Sequence, residues 1–314
     1  MAAPLKLCLV DMNNGVTNEA TRCFTRLFDA FVVRVREANP QLKVEFRHVQ
    51  PRNLGELPPD EVDLVLSSGG PGSPHDGYDQ PWCTGYRKFL DQVVEKNLAS
   101  PLTAPAVFVV CHSYEITVNH FEVARMAKRE SLKFGVFPAY VTLAGQANPV
   151  FEAFGERLFT WEHRTYEAIE LNERRLQELG GTLLATESRE GRSDKGNGLM
   201  GFSFAPGIDG TQFHPEADRP GVIAWINRPE HSSAFKDKYG HSLYDRMMRT
   251  LSDPTRLGRT FGLLIPGWLT RRFNEIAATK GLAPISAPEQ DMKAFEEDIV
   301  VERTIPVTPT ARSA

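Results

Sequence analysis

The sequence predicts an α/β protein with a doubly wound, mostly parallel sheet, flanking helices and a small helical C-terminal extension. Two observations support this fold class. Apolar runs of strand length alternate with helix-length segments of 3.6-residue periodicity, and polar or glycine-rich loops follow the predicted strands. The chain has 314 residues, of which 41% are hydrophobic and 24% charged, which is an ordinary composition for a folded globular chain.

The strands and helices of the first third follow one another in regular alternation. Residues 5–10 form a continuous apolar run ending at Asp11, which predicts a buried strand that enters a loop. Residues 17–38 carry an apolar stripe close to a 3.6-residue period, and Pro40 terminates this predicted helix. The same criteria predict three more strands and one helix: strands over residues 44–49, 62–66 and 106–110, and a helix over residues 86–97.

The remainder of the chain is less regular. Residues 135–185 mix short β-like runs with a helix-like stretch, and residues 199–204 and 211–213 resemble a closing hairpin. After residue 226 helical periodicity dominates, with helices predicted over residues 237–251 and 268–280. We therefore divide the chain into three parts: a catalytic body of residues 1–226, a helical extension of residues 227–282, and a mostly mobile tail of residues 283–314.

Charge and cysteine usage exclude several classes of protein. Lys and Arg number 36 against 40 Asp and Glu, a net charge of −4, which disfavours nucleic acid as a partner. The four cysteines contain no C-x-x-C pair, so we expect reduced thiols rather than disulfides or a zinc ribbon. No histidine, cysteine and carboxylate cluster has metal spacing, and we predict neither a metal nor another cofactor. We expect a cytoplasmic protein, since no apolar stretch resembles a signal-peptide core or a membrane span.

Cys111 is the candidate nucleophile. It follows the apolar run of residues 106–110 and precedes a helix-compatible segment, so it should lie on a sharp turn from strand to helix. Such a turn exposes a side chain above the sheet, and the amino terminus of the following helix should lower the thiol pKa. The alternative is a buried, unreactive cysteine, which would be the better interpretation for an isolated cysteine in a strand.

Two further segments favour the reactive interpretation. Residues 210–216 read Gly-Thr-Gln-Phe-His-Pro-Glu, so that His214 could take the proton of Cys111 while Glu216 orients the imidazole. Residues 67–74 read Ser-Ser-Gly-Gly-Pro-Gly-Ser-Pro, and the N–H groups of Gly70 and His112 could bind a tetrahedral oxyanion. A phosphate-binding loop is the competing interpretation of residues 67–74, but no Gly-Lys-Ser/Thr follows.

These three segments, in this order, resemble the class I glutamine amidotransferase family over roughly residues 5–225. The resemblance implies a flavodoxin-like fold, a Cys-His-Glu triad and release of ammonia for a synthetase. Cys111 would attack the side-chain amide carbon of glutamine, His214 would transfer the proton, and Glu216 would orient His214. A γ-glutamyl thioester would form and be hydrolysed. The sequence Glu-His-Arg at residues 162–164 also resembles the family's loop whose backbone binds the substrate's α-amino and carboxyl groups, which implicates His163 and Arg164.

The sequence departs from the family at one specificity position. The family's elbow is usually Gly-x-Cys-x-Gly-x-Gln, whereas residues 109–115 read Val-Val-Cys-His-Ser-Tyr-Glu. Glu115 therefore stands where a glutamine helps to hold the substrate. An amide both donates and accepts hydrogen bonds, whereas an ionised carboxylate only accepts. Glutamine is thus one candidate substrate, and a related amide that carries an amine is another.

Three functional hypotheses follow. The leading one is a glutamine amidotransferase-like cysteine hydrolase. The second is a cysteine acyl hydrolase or acyltransferase of the same fold that acts on another amide or ester. The third is a non-catalytic binding or regulatory module. For the first, any synthetase or acceptor must lie on another chain, because the extension is too short for a synthetase domain. The extension would then be a lid, a homo-oligomer contact or a docking surface.

Overall fold

One mixed β-sheet organises the part of the chain described by the computed structural model, residues 3–16, 18–100, 105–187 and 198–287. Its strand order is β2-β1-β3-β4-β9-β8-β7-β5-β6. The strands are β1 (Leu5–Val10), β2 (Val44–Val49), β3 (Leu64–Ser67), β4 (Ala106–Val110), β5 (Arg125–Val141), β6 (Arg157–Ile169), β7 (Thr182–Thr186), β8 (Leu199–Ala205) and β9 (Ile208–Thr211).

Helices connect the strands and cover both faces of the sheet. The structure contains α1 (Glu19–Ala38), α2 (Pro51–Leu54), α3 (Pro81–Ala99), α4 (His112–Phe121), α5 (Leu143–Gln146), α6 (Glu173–Glu178), α7 (Arg219–Ile226), α8 (Pro229–Tyr239), α9 (His241–Ser252) and α10 (Leu257–Lys280), with a short 3₁₀ turn at Glu152–Phe154. In the part of the chain that the structure describes, no helix is long and apolar enough to span a membrane.

The parallel half of the sheet agrees with the sequence prediction. Strands β2, β1, β3, β4 and β9 pair in parallel, and their alternate side chains enter two separate cores. Leu7 and Leu9 pack with α1 and α10 on one face, while Cys8 and Val10 pack with α3 and α4 on the other. Burial on both faces explains why these strands appear in the sequence as continuous apolar runs.

The other half of the sheet is antiparallel, so the prediction of a mostly parallel sheet is corrected to a mixed one. The pairings β9-β8, β8-β7, β7-β5 and β5-β6 are all antiparallel. Short turns make this possible, because antiparallel neighbours need no crossover helix. Between β8 and β9 the turn is only Pro206 and Gly207, and Gly207 has φ +85°. The predicted closing hairpin is therefore present, with two residues between its strands where the predicted strand bounds leave six.

The last helix is longer than the sequence predicts. The sequence predicts a helix over residues 268–280, whereas α10 begins at Leu257 and continues through Pro266. A proline inside a helix costs about 3 kcal/mol, and burial of apolar side chains on both sides of Pro266 offsets that cost. Gly281 ends the helix with φ +64°. The buried side chains of α10 that join the same core as α1 are Phe261, Leu264, Ile265, Trp268, Leu269 and Phe273.

A buried carboxylate attaches α10 to the sheet. Asp209 of β9 accepts hydrogen bonds from Trp268 Nε1 at 2.8 Å and from an Arg272 nitrogen at 2.9 Å. Burial tends to raise the pKa of Asp209, but the charges of Arg272 and Arg271 outweigh it and the pKa lies below its usual value. The helical extension and the sheet thus share one core at α10. The division at residue 226 stays a prediction, and most of the predicted tail, residues 288–314, lies outside the described residues.

Helices α7, α8 and α9 pack on the β5–β6 hairpin. Phe134 and Trp161 of the hairpin form a third apolar cluster with Ile226, Phe235 and Met247 of these helices. Phe134 is the centre of this cluster, with its ring centroid 5.4 Å from that of Phe235 and 6.0 Å from that of Trp225. These helices consequently cover the hairpin, which forms one edge of the sheet.

Candidate active site

Cys111 lies at the junction between β4 and α4, where the sequence predicts a nucleophile. Its backbone has φ +50° and ψ −104°, a conformation that residues other than glycine rarely adopt. Hydrogen bonds on both sides hold it, because the Cys111 N–H donates to the Thr211 carbonyl at 2.9 Å and its carbonyl accepts from the Glu115 N–H at 2.8 Å. The strained turn between strand and helix is the geometry that a nucleophile elbow requires.

His214 and Glu216 follow β9, the parallel neighbour of β4. The His214 N–H donates to the Trp161 carbonyl at 3.0 Å, which attaches this segment to β6. Nδ1 of His214 lies 2.7 Å from Oε1 of the buried Glu216, so Nε2 is the ring nitrogen left for another partner. The side chains of His214 and Cys111 both lie against Gly69, and each influences the pKa of the other. The structure therefore brings together the three residues that the sequence groups as a triad.

Charge and burial act in opposite directions on this pair. Burial tends to lower the pKa of His214, but the Glu216 carboxylate and the Cys111 sulfur outweigh it and hold the pKa well above its usual value. For Cys111, burial raises the pKa of the thiol and His214 only partly offsets it. The expected lowering of the thiol pKa by the helix terminus is therefore not found, because desolvation is the larger effect. Attack by the sulfur requires the thiol to lose its proton, and His214 is the neighbouring base.

The glycine-rich loop after β3 lies directly against Cys111 and His214. A Cβ atom at Gly69 would lie 2.9 Å from His214 Cε1 and 3.1 Å from Cys111 Cβ, and one at Gly70 would lie 2.0 Å from the Met12 carbonyl oxygen. Glycine is needed at both positions for the loop to approach so closely. Gly69, which the sequence analysis did not single out, is the loop residue in contact with the pair.

Ser113 of α4 forms hydrogen bonds to the glycine-rich loop after β3. Its hydroxyl donates to the Ser68 carbonyl at 2.6 Å and lies 2.8 Å from the hydroxyl of Ser67. Ser113 stands at the second glycine of the family's elbow, and here its side chain adds a bond that glycine could not make. His112 is the first residue of α4, so its N–H has no acceptor within the helix. The N–H of His112 thus adjoins the Cys111 turn, but the loop residue in contact with the turn is Gly69, whereas Gly70 lies against Met12 and Arg52. An oxyanion site at Gly70 and His112 stays a prediction.

Glu115 is buried beneath the turn. Its Oε1 accepts a hydrogen bond from Gln212 Nε2 at 2.9 Å, and its Oε2 lies 3.8 Å from Nδ1 of His112. Both ring nitrogens of His112 are buried without a hydrogen-bond partner among the described residues. The carboxylate therefore connects α4 to Gln212, two residues before His214. A substrate contact by Glu115 would have to be made from this position.

The two predicted substrate-loop residues lie on opposite faces of β6. His163 lies near His214, and partial burial together with the charge of His214 lowers its pKa to about 4. The Arg164 side chain is instead fully buried on the other face, where it pairs with Glu162 at 2.8 Å and Glu187 at 3.1 Å. The structure thus brings His163 to the triad and leaves only the backbone of Arg164 available there.

Solved structures show what this arrangement is similar to, although no family model and no curated protein matches the sequence. A glutamine amidotransferase of Thermotoga maritima is 18% identical with a TM-score of 0.55, and the match covers 86% of this chain and 98% of that one. The chain has a glutamine amidotransferase fold. A glutamine amidotransferase of Methylobacillus flagellatus is 14% identical with a TM-score of 0.50, covering 92% and 99% of the two chains. The protein SMU.1228c is also 14% identical, with a TM-score of 0.57, covering 86% and 100%.

Within this amidotransferase fold, a buried ionic cluster lies behind the site. It consists of three cations and three carboxylates on the β5–β6 hairpin and after β7: Arg129, Lys133, Arg164, Glu162, Glu167 and Glu187. The sequence implicates one of these six residues, Arg164, in substrate binding but does not reveal that the six form a cluster. The signal that could have indicated it is the spacing of Glu162 and Arg164, since residues two apart share one face of a strand.

Aromatic rings at the junction of the predicted catalytic body and the helical extension border the same site. Trp225 of α7 has its ring centroid 5.7 Å from that of His163 and 5.3 Å from that of Trp161. His231 of α8, the first helix of the extension, stacks on Trp225 at 3.6 Å. These contacts make α7 a wall next to His163.

Proposed function

We propose that this protein is a class I glutamine amidotransferase-like cysteine hydrolase, with Cys111 as nucleophile, His214 as general base and acid, and Glu216 as the residue that orients His214. One observation carries the proposal. Cys111 has a strained backbone at the amino terminus of α4, and its side chain lies against Gly69 together with that of His214, while Glu216 lies 2.7 Å from Nδ1 of His214. A nucleophile, a base and an orienting carboxylate are the parts that acyl transfer requires.

The geometry supports a two-step hydrolysis. Nε2 of His214 takes the thiol proton as the Cys111 sulfur bonds to the amide carbon. The resulting oxyanion is bound by the N–H groups of Gly70 and His112. When the tetrahedral intermediate collapses, the carbon–nitrogen bond breaks and His214 returns the proton to the departing ammonia. A water molecule, deprotonated by His214, then hydrolyses the γ-glutamyl thioester and releases the acid and the free thiol.

Substrate binding and ammonia use complete the proposal. The backbone at His163 and Arg164 would hold the substrate's α-amino and carboxyl groups, since His163 lies beside His214. The ammonia would serve a synthetase or acceptor on another chain in the cytoplasm. His231 of α8 stacks on Trp225, which contacts His163, and this favours a lid over an oligomer contact as the role of the extension.

Covalent labelling of Cys111 tests the proposal most directly. A glutamine-mimicking diazoketone should alkylate the peptide that carries Cys111, and glutamine should protect it. Cys8 is the internal control, because burial raises its pKa to about 12 and it should stay unlabelled. The variant Cys111→Ser should lose glutamine hydrolysis by about 10³-fold or more, as measured by ammonia release. Labelling that glutamine does not block would favour a hydrolase of another amide or ester, and absence of enhanced reactivity at Cys111 would contradict catalysis.

The variant Glu115→Gln tests the substrate. The new amide can still accept the hydrogen bond from Gln212 Nε2 and gains a donor, so the fold should persist. We expect kcat/KM for glutamine to rise about fivefold, which corresponds to about 1 kcal/mol and thus to one hydrogen bond. Glu45→Gln on the exposed face of β2 is the matched control and should leave kcat/KM unchanged. An equal or lower rate for Glu115→Gln would show that Glu115 does not limit glutamine use and would favour a different substrate.

A further inference from the structure

A cavity outside the catalytic site lies between β6 and the start of α10. Its volume is about 220 Å³, the volume of roughly seven water molecules. One wall comes from the 3₁₀ turn and the first residues of β6, and the other comes from residues 253–260. The two walls belong to chain segments about a hundred residues apart. The cavity is therefore a product of the tertiary fold and not of a local turn.

Three arginines line this cavity, together with a single carboxylate. Arg157 comes from β6, Arg256 and Arg259 come from the start of α10, and the carboxylate is Asp253. Asp253 already pairs with one of these arginines, because its Oδ2 accepts a hydrogen bond from Arg256 Nε at 2.9 Å. Its pKa lies below the usual value, chiefly because Thr255 and Arg256 donate hydrogen bonds to it. The lining therefore keeps an excess of two positive charges.

The other two guanidinium groups lack a carboxylate partner among the described residues. Arg157 stacks over the Phe159 ring at 5.8 Å from its centroid. Arg259 donates from Nη2 to the Ala153 carbonyl, and its Nε is buried with no hydrogen-bond partner in the described part of the chain. Within the described ranges neither has a carboxylate oxygen within 4.0 Å, the limit for an ion pair. Guanidinium groups that are fixed but not neutralised are suited to an anion with several acceptor oxygens.

The remaining lining fits the same kind of ligand. The guanidinium of Arg256 also stacks over the Phe159 ring, 4.6 Å from its centroid. This guanidinium therefore lies between the Asp253 carboxylate and an aromatic ring. The Thr255 hydroxyl donates to Asp253 Oδ1 at 2.6 Å, and the Thr260 hydroxyl donates across the cavity to the Phe159 carbonyl at 2.7 Å. Here the three arginines and the volume that they line carry the argument.

We propose that this cavity binds the phosphate group of a small phosphomonoester. A phosphomonoester carries a charge of about −1.5 to −2 at neutral pH and three acceptor oxygens, which match the two uncompensated guanidinium groups. The volume accommodates a phosphate with a short organic group. Neither Cys111 nor His214 lines this cavity, so this inference does not depend on the proposed hydrolase activity.

Calorimetric titration tests the proposal with inorganic phosphate and glycerol 1-phosphate as probes, at constant ionic strength. We expect both to bind and to raise the melting temperature as their concentration rises, with sodium chloride giving neither effect. The double variant Arg157→Gln, Arg259→Gln should bind at least about tenfold more weakly, because two charge-assisted contacts are lost. Arg36→Gln, at the exposed end of α1, is the matched control and should bind as the unchanged protein does.

A single variant and a vesicle-binding measurement complete the test of the phosphate site. If the double variant does not fold, the single variant Arg157→Gln replaces it, because Arg157 is exposed and makes no ion pair with a described residue. Vesicles that contain phosphatidic acid distinguish the source of the phosphate, and we expect no binding to them. Equal affinity of the unchanged protein and the variants for phosphate, or phosphate binding no stronger than chloride binding, would overturn the proposal. Binding to the vesicles alone would assign the surface to lipid headgroups instead.

Discussion

Replacing Glu216 by glutamine should lower the rate of amide hydrolysis by about 10³-fold or more. Glu216 is buried, and its Oε1 lies 2.7 Å from Nδ1 of His214. This contact fixes the tautomer in which Nε2 is free to take the Cys111 proton. A glutamine amide at the same place can donate its own N–H to Nδ1, which would put the ring proton on Nε2, where it blocks proton transfer.

The pH dependence of the same variant gives an independent check. Glu216 raises the pKa of His214 against the effect of burial, so its replacement by a neutral amide should lower that pKa. The base form of His214 exists above its pKa, and the acid limb of the profile of kcat/KM against pH should therefore shift to lower pH while the plateau falls. The measurement is ammonia release from pH 5 to 9, with the melting temperature as a control for folding. An unshifted acid limb would mean that Glu216 does not act through His214.

Replacing Arg164 by methionine should lower the free energy of unfolding by about 3–5 kcal/mol, because it breaks a buried ionic cluster by removing one partner. Arg164 pairs with Glu162 at 2.8 Å and Glu187 at 3.1 Å, and all three side chains are buried. Without Arg164, three carboxylates share Arg129 and Lys133, so one negative charge stays uncompensated. Methionine approximates the aliphatic part of the arginine, which separates the loss of charge from the loss of volume.

The sign of the pH effect follows from Glu187. Burial tends to raise its pKa, but Arg164, Lys133 and Arg129 outweigh it and lower the pKa to about 2. A lowered carboxylate pKa stabilises the fold above the pKa of the unfolded chain, and this contribution is lost as the pH falls towards 2. The unchanged protein and the variant should therefore differ most at neutral pH and converge in acid. Urea denaturation at several pH values measures the difference.

An exposed ion pair provides the control for this second prediction. Arg174 of α6 pairs with Glu178 at 3.0 Å, and its side chain is 89% exposed. Arg174→Met should change the free energy of unfolding by less than about 1 kcal/mol, because exposed pairs contribute little. A loss below about 1 kcal/mol for Arg164→Met as well would show that the buried cluster is dispensable for stability.

The triad could be proposed from the sequence because its signals are local. The apolar run before Cys111 and the helical segment after it define the elbow within about ten residues, and His214 and Glu216 lie two residues apart. Their meeting in space follows from β4 and β9 being parallel neighbours. The sign of the shift in the thiol pKa could not be predicted in the same way, since it depends on how completely the surrounding chain excludes water from Cys111.

The antiparallel half of the sheet and the ionic cluster depend on distant partners. Strand β5 has a register shift between Lys128 and Lys133, which interrupts the alternation that would have marked one long strand. Lys133 pairs with Glu187 across 54 residues, a separation at which no spacing rule applies. The helix predicted over residues 268–280 was too short, because the sequence does not show that apolar packing on both sides of Pro266 outweighs the cost of a proline inside a helix.

The attachment of α10 has a consequence for how the chain folds during synthesis. Helix α1 packs against α10, which is made more than two hundred residues later, and Asp209 gains Trp268 and Arg272 only then. A core that closes through such distant segments folds slowly. Until α10 emerges from the ribosome, the part of α1 that packs on α10 and the charge of Asp209 lack the partners that α10 provides. The nascent chain is therefore exposed to aggregation for most of its synthesis, and chaperone binding during that interval would determine how much active protein a cell obtains.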